Sequence, residues 1–248
     1  AALTWLCLHG SPGWGYGFRH LLPDLLAAGY RVVVPDLPGF GRSDQPKKDK
    51  RHSAQWHLQV ITELIEALNL RRLVLVGQGD GGRLGLAAAQ ALPERFAGAW
   101  LIDTWPLNAQ PEPRRQWFEQ AARKPGWDVA RAMAELEGCS NAEEDRAWNA
   151  PFAQPGHRAA LKAWPRLQTE LAAPPADLLQ QWAQAGRLWL QPAATQQPVS
   201  AAQWQAAWLQ AVPQLAVQAG VWRQTRPGAP VPAAQQGGGA AAVEYFAP

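Results

Sequence analysis

Residues 73–82 read Leu-Val-Leu-Val-Gly-Gln-Gly-Asp-Gly-Gly, and no other stretch restricts the fold as much. The branched apolar run Leu73–Val76 has no polar alternation, which suits a strand buried on both faces. Glycines at 77, 79, 81 and 82 then break the run, and a helical pattern follows over Arg83–Leu92. A buried strand feeding a helix through so tight a turn belongs to a parallel sheet, where crossovers are helical. A crowded backbone corner needs small residues two places before and after it. Gly77 and Gly81 meet that need around Gly79, which puts a residue with no side chain at the corner. Centring the turn on Asp80 instead would put the bulky Gln78 in a small-residue place.

The rest of the chain continues the alternation. Apolar runs at Leu3–Leu8, Arg31–Val34, Ala99–Ile102, Arg187–Gln191 and Gln214–Gln218 read as strands, the second of them buried. Helical spacing appears at Phe18–Ala28, with Leu21, Leu22, Leu25 and Leu26 on one face and Gly29 closing it. It appears again at Ala54–Asn69, carrying Leu58, Ile61, Leu64, Ile65 and Leu68, and at Ala201–Val212. The strand rhythm lapses between Trp105 and Gln184, where helical stretches at Arg114–Ala122, Val129–Glu137 and Ala159–Trp164 are too apolar for a disordered segment. The expected organisation is an α/β core over 1–104, a helical cap over 105–185, a second part of the core over 186–226, and an irregular tail over 227–248. That tail carries a Gly237-Gly238-Gly239 run, and Ala240–Phe246 reads as a last docked turn.

Composition excludes several classes. With 47% hydrophobic and 17% charged residues the chain is globular. Its net charge is +3 and its pI about 9.1, but the basic residues are scattered in short runs such as Lys47–His52, so no nucleic-acid partner is expected. No apolar run reaches the roughly 18 residues of a membrane span. Cys7 and Cys139 form neither a disulfide framework nor a metal spacing, which fits a reducing cytoplasm and predicts no metal or cofactor. The 14 tryptophans fall largely at helical positions, which favours core packing over an aromatic-lined pocket.

These motifs together resemble the α/β-hydrolase fold, and within it the haloalkane dehalogenase branch. His9-Gly-Ser-Pro-Gly-Trp14 resembles the oxyanion loop of that family, and Tyr30–Asp44 its next strand and turn. Val76-Gly-Gln-Gly-Asp-Gly-Gly82 resembles the nucleophile elbow Val-x-Gln-Asp-Trp-Gly-Gly. Ala150-Pro-Phe and Ala163-Trp-Pro-Arg resemble markers near the end of the cap. The resemblance implies a mostly parallel sheet flanked by helices, with an inserted helical cap. The leading strand pair usual in the family has no counterpart in the chain as it begins.

The resemblance also implies a carboxylate nucleophile, a catalytic acid and a late histidine. Gly79 stands at the nucleophile position, and Asp80 where the branch has a halide-holding tryptophan. A second such tryptophan aligns near Leu136. The acid would follow one of two strands: after Leu190 the sequence reads Gln-Pro-Ala-Ala-Thr, and after Ile102 it offers Asp103. The Gly-x-Gly-His pattern reads Gly220-Val-Trp-Arg-Gln224, so the histidine position falls on Arg223 or Trp222, and no histidine lies beyond His157. An arginine stays cationic and cannot act as a base near neutral pH.

The expectation is a hydrolase-fold protein without a working triad, acting as a small-molecule-binding or scaffold protein. The alternative is an active hydrolase of haloalkanes, epoxides or esters that uses Asp80 or a rearranged site. The oxyanion loop, His9, Gly10, Ser11 and Trp14, would survive with the amides of Ser11 and Asp80, leaving a place for a small hydrophobic or carbonyl ligand. A protein partner or a second copy is the remaining expectation. Of the histidines, His9 braces the oxyanion turn. His52 and His57 are expected to point away from the pocket, His20 to lie on a surface helix, and His157 in a solvated loop.

Overall fold

The computed structural model describes residues 2–106, 119–120, 123–124, 126–137, 141–192, 201–217 and 221. Five strands form one parallel sheet among them: β1 (Thr4–Leu8), β2 (Arg31–Val33), β3 (Leu73–Gln78), β4 (Phe96–Ile102) and β5 (Leu188–Gln191). Their order is β2-β1-β3-β4-β5. The chain leaves β1 toward one edge and returns to β3 on its other side. The order therefore reverses between β1 and β3, and the crevice beyond their carboxyl ends is where open α/β sheets take ligands.

Period-two alternation splits the core into two layers. Trp5, Cys7, Val74, Val76, Trp100, Ile102 and Trp189 face one side, where Phe18, Leu21 and Leu25 cover them. Leu6, Leu8, Leu73, Leu75, Ala99, Leu101, Leu188 and Leu190 face the other. That second layer lies under α2 (Ala54–Ala67), α3 (Asp80–Ala91) and the helices between β4 and β5. Those helices are α4 (Val129–Glu137), α5 (Ala142–Asn149), α6 (Ala159–Glu170) and α7 (Ala176–Gln184), and α8 (Ala201–Ala211) follows β5.

Several sequence expectations change. The expected strand over 214–218 is not seen: Pro213–Val217 forms a 3-10 helix, with Val212 and Leu215 buried and the Leu215 N–H bonded to the Val212 carbonyl, and Gln218 lies outside the described residues. Phe18–Ala28 is not one helix. A 3-10 turn at Gly15–Phe18 precedes α1 (Leu22–Ala27), whose N-terminal turn carries Pro23, and Leu26 is 59% exposed. β2 is half-exposed rather than buried, since it is an edge strand. α6 does not stop at Trp164 but runs through Pro165 to Glu170. The lost backbone hydrogen bond is offset by burial of Trp164, Pro165, Leu167 and Gln168. The stretch 114–122 falls largely outside the described residues, and the tail 227–248 wholly so. Most tryptophans are indeed core: Trp5, Trp100, Trp105, Trp148, Trp164, Trp182, Trp189, Trp204 and Trp208 are all buried.

Candidate functional site

β3 turns into α3 at Gly79, whose φ of 53° and ψ of −126° lie where L-residues rarely go. The neighbouring glycines are there because nothing larger fits. A Cβ on Gly77 would lie 2.2 Å from Gly82 Cα, one on Gly81 2.3 Å from the carbonyls of Leu8 and His9, and one on Gly82 2.0 Å from Thr104 Oγ1. A Cβ on Gly79 would meet only Gly10 Cα, at 3.9 Å. Gly79 alone in this turn faces open space, so the corner has room for a side chain and lacks one.

The loop after β1 lies directly against this corner. A Cβ on Gly10 would sit 2.7 Å from the Gln78 carbonyl and 3.3 Å from the Asp80 nitrogen. His9, 1% exposed, accepts the Leu37 N–H at Nε2 over 2.9 Å, which leaves Nδ1 to donate to the Gly10 carbonyl at 3.2 Å. Burial pushes its pKa down to about 4, so the ring is neutral. Asp36 ties the same loop to the turn after β2. Its Oδ1 accepts from Gly15 N–H at 2.7 Å and its Oδ2 from Arg42 N–H at 2.8 Å, while Ser43 Oγ donates to its carbonyl. Trp14, half-buried, stacks on Tyr16. Asp80 N–H lies beside Gly10 at the corner and belongs to the first turn of α3, where it has no helical acceptor.

Asp80 is the first residue of α3, where the helix macrodipole favours a carboxylate. Its Oδ2 accepts the Trp164 indole N–H at 3.0 Å and the Gln168 amide at 2.6 Å. Both donors come from α6, four residues apart and so on one face. Asp103 follows β4 at a φ of 49°, and its N–H bonds the Gln191 carbonyl across to β5. Next to it, Thr104 donates its hydroxyl to the Gly77 carbonyl. The Thr104 carbonyl accepts two indole N–H groups, from Trp204 and Trp208 of α8, each at 2.9 Å.

His57 does not point away: it is buried and lines a narrow cavity of about 10 Å³ together with Asp80, Leu84, Trp164 and Gln168, whereas His52 is buried but does not line that cavity. Ala54, His57, Ile61 and Ile65 form the buried stripe of α2, and that spacing was the available signal. The ring orientations follow from the partners. His52 Nε2 must donate to the Pro46 carbonyl, so its Nδ1 accepts from His57 Nε2 at 3.2 Å. His57 Nδ1 is then an acceptor with no partner among the described residues. Burial, with His52 and His9 adding to it, pushes the His57 pKa to about 3. Burial also lowers that of His52. His20 is exposed in the turn before α1, and His157 lies in a 3-10 turn at Pro155–Arg158.

The structure thus brings His9, Gly10, Ser11, Gly79, Asp80 and Asp103 to the carboxyl ends of β1, β3 and β4. Arg223 and Trp222 lie outside the described residues. Leu136 belongs to α4. Trp164, Gln168 and His57 were missed as site residues: Pro165 hid the extent of α6, and His57 was assigned to the wrong face of α2. Among the described residues no group of His, Cys, Asp and Glu could hold a metal ion. No helix among them is long and apolar enough to cross a membrane.

Residues 6–220 match the alpha/beta hydrolase fold family. Over 168 residues the chain is 34% identical to a haloalkane dehalogenase of Psychrobacter cryohalolentis, covering 65% of this chain and 55% of the relative. It is 32% identical over 173 residues to a haloalkane dehalogenase of Mycolicibacterium paratuberculosis, covering 68% and 58%. The match therefore spans little more than half the length of these relatives. Among solved structures, the tetrameric haloalkane dehalogenase DpaA from Paraglaciecola agarilytica NO2 is similar with a TM-score of 0.64 and 34% identity, over 75% of this chain and 63% of that one.

Proposed function

Since this chain belongs to the α/β-hydrolase fold family, in its haloalkane dehalogenase-like branch, we propose that it retains the architecture as a binding or scaffold protein and does not run covalent hydrolysis. The observation that carries this reading is the corner itself: Gly79 has the backbone conformation of an elbow, faces open space, and offers no atom that can attack a substrate. Arg223 stands where the resemblance puts the base, and it cannot accept a proton. Residues 105–185 serve as the cap over the two parts of the core, 1–104 and 186–226, with 227–248 as an appended tail. The amides of Ser11 and Asp80, beside His9, Gly10 and Trp14, remain to orient a small hydrophobic or carbonyl ligand. Self-association and a cytoplasmic location complete the proposal. A tetrameric relative supports the first.

The competing reading is a hydrolase that uses Asp80, and one observation favours it: Asp80 and His57 line the same cavity. Against it, Asp80 Oδ2 already accepts two hydrogen bonds, which spread its charge and reduce its power to attack. Asp103 is the acid left to either reading. Purified protein assayed on haloalkanes, epoxides and nitrophenyl esters is expected to give no turnover above buffer. Turnover that vanishes in Asp80→Ala, or a substrate-derived adduct on Asp80 by mass spectrometry, would overturn the proposal. Thermal shift against small carbonyl compounds tests the binding role, because a ligand of the native state raises its melting temperature.

A further inference from the structure

We propose that Trp164 and Gln168 form an anion seat on the cap, filled by the protein's own Asp80 carboxylate, which thereby latches the cap over the empty corner. The seat takes a small carboxylate from solution once that of Asp80 is removed. The inference stands whether or not the protein turns over any substrate.

The donor set is one-signed. An indole N–H can only donate, and the Gln168 amide turns its nitrogen, not its oxygen, toward Asp80 Oδ2 at 2.6 Å. That orientation leaves Gln168 Oε1 buried without a partner among the described residues, a cost offset by aiming the NH₂ group at the carboxylate. Both donors are withdrawn from water, Trp164 being 4% and Gln168 5% exposed, so an unfilled seat would strand two buried N–H groups. Hydrogen bonds to an ionised acceptor are the strong ones.

The surrounding charges favour an anion as well. Arg83, on the same helix as Asp80, is half-buried and donates to the Leu171 carbonyl at 3.5 Å. Burial disfavours its charge, and Asp80 offsets part of that penalty. His57, the other titratable group lining the cavity, is held neutral by burial. Deleting the Asp80 carboxylate therefore leaves two aimed, buried donors and no negative side chain lining the cavity. In the intact protein the adjoining cavity of about 10 Å³ has room for no more than a water, so no second anion fits.

Asp80→Ala removes one carboxylate group, for which formate is the matching probe in size and charge. Formamide, of similar size and neutral, is the control. The variant is expected to melt roughly 5 °C lower than the parent. Formate at constant ionic strength should restore at least half of that loss with saturation, and formamide should not. Formate should leave the parent protein and the double variant Asp80→Ala, Gln168→Leu unmoved. Backbone hydrogen exchange over residues 159–171 should rise in Asp80→Ala and fall back with formate. Equal effects of formate and formamide, equal stabilisation of the parent, or unchanged exchange over 159–171 would each overturn the proposal. Should Asp80→Ala not fold, Asp80→Asn carries the test. It keeps the shape and loses the charge, and exchange protection over 159–171 that stays at the parent's level would refute the latch.

Discussion

The walls of this site and its corner have different kinds of sequence constraint. The walls are over-determined: Gly77, Gly81 and Gly82 have no space for a methyl group, and His9 and Asp36 bind the backbone of two loops. The corner is under-determined. Gly79 has space for a side chain, carries none, and takes a φ that glycine alone adopts without strain. A scaffold this tightly specified around a position with no chemistry teaches that the backbone of the elbow is maintained by packing. It does not depend on the residue the elbow exists to present.

Crowding a wall should have the largest effect. Gly81→Ala drives a Cβ into the Leu8 and His9 carbonyls and is expected to cost more than about 4 kcal/mol, read by urea denaturation. A variant as stable as the parent would mean the walls are no tighter than the corner. Next in size is acid. His9 and His57 have folded pKa values of about 4 and about 3, below the ordinary 6.5, so the unfolded chain binds more protons than the native one. Their contribution is fully present above about pH 6.5 and is lost as pH falls toward the folded values. The two rings together remove about 4 kcal/mol by pH 5. A urea midpoint that stays flat from pH 7.5 to 5 would show that these rings are not buried neutral.

Asp36→Ala, which strips two backbone N–H groups of their acceptor, is expected to cost about 2–3 kcal/mol by the same measurement. The smallest effect belongs to the corner. Gly79→Ala places a methyl group in open space and costs about 1–2 kcal/mol for the positive φ alone. The contrast between Gly81→Ala and Gly79→Ala is the comparison in its purest form, and equal losses would erase it. Restoring the family's groups with Gly79→Asp and Arg223→His is expected to give little turnover on haloalkanes, because Asp80 stands where the resemblance puts a halide-holding tryptophan.

The sheet was legible because its strands are continuous apolar runs and its turns are spelled in glycine. Centring the elbow on Gly79 rather than Asp80 was legible too, from the small residues at 77 and 81. What escaped were features set by long-range packing. The buried face of α2 includes a histidine, which reads as polar until Trp56, Trp164 and His52 are seen around it. α6 continues past Pro165 because both sides of the proline are buried, something no local propensity encodes. Residues 214–218 read as a strand, yet among the described residues the sheet gains no sixth strand from them; Pro213 opens a 3-10 turn instead.

The Thr104 carbonyl spends both lone pairs on the indoles of Trp204 and Trp208, while the hydroxyl of the same residue holds the end of β3. Strand ends and α8 are thereby geared together at a single residue beside the corner. Pulling α8 away from Thr104 breaks an indole hydrogen bond, and an indole so released changes its emission. The protein carries, in these rings, its own optical gauge of whether the floor of the site is intact.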